Sequence, residues 1–149
     1  LADADERRRI LAYMEERFGI PPSVFDGYLL FRRKNTWRIL RMSPHLEAAF
    51  RLRVEVVGIK AFHRIRAFIK PTTRLIQIFG GKATRARVAL SRSDLSALTR
   101  GEELPLDTGL DNGYVILEQA GRPLGLGLLI DGTLRSQIPR SELRFFLSE

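Results

Sequence analysis

The stretch that most constrains this chain is Gly121-Arg122-Pro123-Leu124-Gly125-Leu126-Gly127-Leu128-Leu129-Ile130, followed by Asp131-Gly132 and residues 133–140. Leu124, Leu126, Leu128 and Ile130 share one parity, so on a strand they line one face. Gly125 and Gly127 fall on the opposite face and leave it nearly bare, which admits either a ligand or another packed element of the chain. Asp131-Gly132 predicts a type I′ hairpin turn, because that turn needs positive φ at both central residues. Ser136-Gln137-Ile138-Pro139-Arg140 then reads as a return strand ended by proline.

Other elements can be read upstream. Asp3 to Phe18 predicts a helix: Ile10, Met14 and Phe18 recur every four residues, with Leu11 beside them. Asp5 and Glu6 suit its N-terminal end and Gly19 its left-handed cap. Tyr28 to Arg33 and Thr36 to Met42 predict a hairpin around Lys34-Asn35. Ser43-Pro44 opens a short helix over 45–52, and Val54 to Ile59 reads as a β-branched strand. Phe62 to Lys70 alternates as one strand, which places Arg64, Arg66, Phe68 and Lys70 on a common face with Phe62. Leu75 to Phe79 reads as a further apolar strand. Arg85 to Leu90 alternates again, with Arg85 and Arg87 on one side. Ser91 with Asp94 three residues on forms a capping box, followed by a helix whose buried edge is Leu95 and Leu98. Asp111-Asn112-Gly113 turns into a strand over Tyr114 to Glu118.

Gly121, Pro123-Leu124-Gly125, Gly127, Gly132, Leu134 and Ile138-Pro139 resemble the closing hairpin of a PUA domain. Leu90-Ser91 to Asp94-Leu95, Arg100-Gly101-Glu102-Glu103 and Asn112-Gly113-Tyr114-Val115 extend that resemblance over the second half of the chain. The pattern looks like the C-terminal PUA-like region of Sun-family RNA cytosine-5 methyltransferases. What the resemblance implies is an RNA-binding module. The expected architecture is α+β, a small N-terminal α+β domain (residues 1–74) followed by a PUA-like pseudo-barrel (residues 75–149).

Charge agrees with an RNA partner. The net charge is +8 over 149 residues, but residues 27–93 alone hold sixteen lysines and arginines against two acids. The flanking segments are net acidic, so the positive charge sits in the middle and points to a polyanion. Arginine provides twenty-one of the twenty-five cations, and guanidinium suits forked phosphate contacts. A thermophile's surface composition is the competing explanation, since Asn and Gln are scarce.

The resembled enzymes need a nucleophilic cysteine and a cofactor-binding domain. This chain has zero Cys, and no strand in it is followed by a Gly-rich turn that opens a helix. The expectation is therefore a non-catalytic module without cofactor or metal, similar to stand-alone archaeal PUA proteins and acting with a separate methyltransferase. His45 and His63 lack zinc-type spacing, and Asp107 and Asp111 suit a turn. No apolar run is long enough to span a bilayer, and a cytoplasmic setting is expected.

The expected RNA is rRNA or tRNA. The expected contacts are Arg64, Arg66, Phe68, Lys70, Arg74, Lys82, Arg85 and Arg87 from the basic middle. Arg92, Arg100, Arg135 and Arg140 form a rim on the second half, with Gly125 and Gly127 admitting RNA backbone or packing inside the barrel. Phe62 and Phe68 are either a stacking platform or a packed contact between the halves. The alternative to RNA binding is a protein-interaction adaptor that docks through Leu143-Phe145-Phe146-Leu147.

Overall fold

The computed structural model describes residues 1–51 and 58–149. Helix α1 (Ala4–Phe18) starts where the Asp3 carboxylate accepts from the Glu6 amide at 2.8 Å. It ends at Gly19, whose φ of 67° lies where only glycine escapes a Cβ clash. Its buried stripe is Ile10, Leu11, Met14 and Phe18.

Strands β1 (Tyr28–Arg33) and β2 (Thr36–Arg41) form the expected hairpin, with Arg33 opposite Thr36. After α2 (Leu46–Phe50) come β3 (Ile59–Ile65) and β4 (Phe68–Pro71), completing an antiparallel sheet of order β1-β2-β3-β4. Of the strand expected over Val54 to Ile59, residues 54–57 lie outside the described part.

The second half contains α3 (Thr73–Phe79), β5 (Arg87–Ala89), α4 (Arg92–Thr99), β6 (Leu104–Pro105), β7 (Gly113–Gln119), β8 (Arg122–Ile130), β9 (Thr133–Ser136) and α5 (Arg140–Ser148). Its sheet has the order β5-β7-β8-β9-β6; β5 runs parallel to β7 and the other pairs are antiparallel. The fold is α+β, with a PUA-like sheet following the N-terminal helix and meander. Asp131 and Gly132 have φ of 49° and 76°, as the type I′ turn requires. The Ser91–Asp94 capping box forms as expected.

Three expected strands are different. Leu75 to Phe79 is helical: Thr72 Oγ1 caps the Leu75 amide at 3.1 Å, and Leu75, Ile76 and Phe79 are buried at helical spacing. The chain leaves the sheet after Ser136, and Pro139 opens α5 instead of closing a strand. Phe145 and Phe146 are therefore helical. Phe62 to Lys70 is not one strand but a hairpin that reverses at Arg66-Ala67, where Arg66 takes φ 56°.

One buried cluster runs from Ile10 and Met14 through Trp37 and Phe62 to Val115, Leu126 and Leu143. The boundary expected between residues 74 and 75 falls inside α3. That helix links the two sheets: the Phe79 ring centroid lies 4.9 Å from Phe25 and 5.2 Å from Tyr28, while Gln77 Nε2 donates to Leu124 O of β8 at 2.9 Å. Among the described residues no helix is long and apolar enough to cross a membrane.

The bare face of β8 is where this packing happens. A Cβ at position 125 would lie 2.6 Å from Ile138 Cγ1 and 2.9 Å from Thr73 Cγ2; at position 127 it would lie 2.8 Å from Leu117 Cδ2. Both glycines are buried. The RNA-contact reading of Gly125 and Gly127 is thus corrected to packing, because side chains already fill the space.

Candidate nucleic-acid interface

The β3–β4 reversal decides how the basic middle is displayed. Residues directly opposite in an antiparallel pair share a face. His63 opposes Lys70, Arg64 opposes Ile69, and Ile65 opposes Phe68. Arg64 and Lys70 therefore lie on opposite faces, and Arg66 sits in the turn between them. The single basic face expected from alternation is corrected to a basic tip. Arg64 and Arg66 are exposed, and neither side chain makes a hydrogen bond or ion pair among the described residues. Phe62 is fully buried beside Trp37, whereas Phe68 is 69% exposed. The core reading holds for the first phenylalanine and cannot hold for the second.

Phe68 borders a groove of about 620 Å³. Ala67, Phe68 and Ile69 form one wall, Tyr13 and Arg17 of α1 another, and Tyr114, Leu128 and Ile130 the third. Arg17 is held in place by donating to the carbonyls of Tyr114 at 2.7 Å and Asp111 at 2.9 Å. Burial pushes the Tyr13 phenol up to about 12 and raises that of Tyr114, so both rings are neutral donors at physiological pH. Lys70 Nζ lies 5.8 Å from the Tyr114 centroid and donates to Gln137 Oε1 at 2.7 Å. Burial lowers its pKa. Aromatic walls with cations at the edge are the surface on which unstacked bases and phosphates are held. The signal for Tyr13 and Tyr114 in the sequence is weak, since 97 residues separate Arg17 from the carbonyl that joins their elements.

The remaining expected contacts divide sharply. Arg87 is committed internally: it pairs with Glu118 and donates to Ala83 O at 2.8 Å and Gly80 O at 3.3 Å. Its place in the RNA face is corrected to a structural one, since its donors are satisfied and it is only partly exposed. Arg85 donates to the Glu15 carbonyl of α1. Arg92 donates to Leu147 O at 2.7 Å, Arg100 to Glu102 at 2.9 Å, and Arg135 to Glu103 at 2.6 Å. Arg140 packs over Gly101. In the rim expected on the second half, Arg100 and Arg135 are thus paired with acids and Arg92 is engaged by a carbonyl. Arg74 makes only a 3.3 Å contact to Gln77, and Lys82 is exposed without a side-chain partner among the described residues. The apolar patch expected at the C-terminus reduces to Phe145, at 61% exposed, because Leu143 is buried and Phe146 and Leu147 pack against the core. Among the described residues no cluster of three or more His, Asp or Glu could hold a metal ion.

Residues 85–145 match the family described as the methyltransferase RsmF PUA domain. The PUA resemblance read from the Gly-rich hairpin is therefore correct in kind and in place. Over most of its length the chain is also similar to proteins named "Ribosomal RNA small subunit methyltransferase F". That of Shewanella sp. strain ANA-3 is 27% identical, and the match covers 93% of this chain and 30% of the relative. That of Shewanella baltica strain OS155 is 28% identical, with 93% and 29% covered. The chain thus spans under a third of the length of these relatives. They are bacterial, so they lend no support to the archaeal likeness.

Proposed function

We propose that this chain is a non-catalytic RNA-binding module that engages structured rRNA during base modification in the cytoplasm. Catalysis would come from methyltransferase machinery on the same or another polypeptide. The observation that carries the reading is the β3–β4 tip: among the described residues Arg64 and Arg66 are left without internal partners, beside an exposed phenylalanine and an aromatic groove. Phe68 adjoins the exposed Ile65 and, across the groove, the exposed Ile130, an apolar patch of the kind that marks a binding surface. The names of the relatives favour small-subunit rRNA over tRNA as the partner. Phosphate contacts would provide most of the affinity and stacking in the groove the preference for unpaired bases.

Titration with small-subunit rRNA fragments and with tRNA, in low and moderate salt, tests this. The expected result is salt-dependent binding that favours rRNA, with no S-adenosylmethionine binding by calorimetry to this chain alone. Absence of RNA binding at low salt would sink the proposal.

A further inference from the structure

A second surface lies away from the groove, and its pieces come from both halves of the chain. Two open depressions, of about 610 and 450 Å³, share Arg74, Gln77 and Glu142 and so form one trough. At one end it is lined by Arg38 and Lys60 of the first sheet. At the other end lie Arg122 and the rings of Phe145 and Phe146. The Arg122 guanidinium sits 5.3 Å from the Phe146 centroid and pairs with Glu149 at 3.0 Å. Among the described residues, four cations (Arg38, Lys60, Arg74 and Arg122) thus line the trough against Glu142, with Glu149 paired to Arg122 at its end.

The trough is continuous with the β3–β4 tip. Arg38 opposes Lys60 across β2–β3, Thr36 opposes His63, His63 opposes Lys70, and Ile65 opposes Phe68. Opposite residues share a face, so Lys60, His63, Lys70 and Phe68 lie along one side of the first sheet. Burial, then the charges of Lys60 and Lys70, lower the His63 pKa, which agrees with both ammonium groups standing near it. The row of cations leads from the exposed phenylalanine at the tip to the exposed phenylalanine on α5.

We propose that a single strand of RNA leaving the β3–β4 tip follows this sheet face through Lys60 into the trough at Arg74 and ends with a base on Phe145 beside Arg122. The proposal rests on the RNA-binding reading above and adds a path, a polarity of roles and a single-stranded substrate. Lys60 and Arg74 hold phosphates; Phe145 provides the stacking face. A duplex keeps its bases paired and stacked, with none to lay on an exposed ring, whereas a single strand can splay its bases onto such rings. A protein partner would find a polar, cationic floor and only one exposed ring, so an RNA strand is the better fit.

The test uses an rRNA stem-loop with and without a single-stranded oligouridylate tail, titrated by fluorescence anisotropy. For the wild type the tail should raise affinity by about tenfold. Phe145→Ala and Arg74→Glu should each remove most of that gain, and Phe145→Ala should leave the affinity for the tailless stem-loop unchanged. Arg74 is exposed in the first turn of α3, where an acid is tolerated electrostatically. A retained melting temperature therefore separates lost binding from lost folding, and Arg74→Gln provides a milder second variant. A tail that adds nothing, or a gain that survives all three variants, overturns the path and leaves an acidic protein segment as the reading for the trough. Failure of both RNAs to bind would instead remove the RNA-binding proposal itself.

Discussion

The two ends of this molecule use arginine in opposite ways. In the PUA-like half, Arg87, Arg100 and Arg135 are paired with Glu118, Glu102 and Glu103. Arg92 reaches a backbone carbonyl. At the β3–β4 tip, Arg64 and Arg66 project without internal partners among the described residues. A guanidinium already bonded to protein must break that bond before it can hold a phosphate; one that is unengaged need not. Counting charges along a segment therefore locates the basic region, but pairing decides which part of it is available.

The largest expected effect is on stability, at a paired arginine. Arg87→Ala leaves Glu118 and two carbonyls without their donor in a half-buried site, and should cost about 3 kcal/mol of stability by chemical denaturation. RNA affinity of the folded protein should not change. Gly125→Ala should follow, at about 1–3 kcal/mol, because the new methyl meets Ile138 and Thr73. A neutral or stabilising outcome there would mean that the face of β8 is open enough to admit a ligand after all.

Phe68→Ala acts on binding and not on stability. Its stability should change by less than about 0.5 kcal/mol, since the ring is solvent-exposed. RNA affinity should fall by about 1–3 kcal/mol with an unchanged salt slope, the mark of lost stacking. The smallest effect is a pH dependence. His63 has a folded-state pKa below its ordinary value, from burial first and then from Lys60 and Lys70. The unfolded chain therefore binds the proton more readily, so stability is present above about pH 6.5 and is lost as pH falls through the lowered folded value. His63→Gln should flatten that acid limb in denaturant melts; an identical limb would mean that other groups carry it.

Much of the fold was legible because local chemistry announces it. Asp3 and Gly19 delimit α1, Ser91 with Asp94 opens α4, and Asp131-Gly132 allows no other tight turn as readily. The features missed lack such markers. Arg66 enters the left-handed region without a glycine or asparagine, so the β3–β4 reversal hides inside an alternating pattern that continues through it. The stretch Leu75 to Phe79, apolar but for Gln77, fits a strand or a buried helix, and only the Thr72 cap distinguishes them. Of the candidate interface, only the charge imbalance over residues 27–93 was legible. The pairing of Arg87 with Glu118 was not, because it depends on β5 lying parallel to β7 with Ala89 opposite Glu118. Tyr13 and Tyr114 meet across the groove for the same reason: topology, not spacing, brings them together.

On the RNA-binding proposal, phosphates meet the β3–β4 tip and not the rim of the PUA-like half. This is tested most directly by the slope of log affinity against log salt for two double variants. Arg64→Ala with Arg66→Ala should flatten the slope by about 0.7 to 0.9 per lost contact, with no loss of stability. Arg100→Ala with Arg135→Ala should leave the slope as in the wild type and cost at most about 1 kcal/mol in stability per exposed ion pair. A flattened slope in the second variant and a wild-type slope in the first would contradict the account.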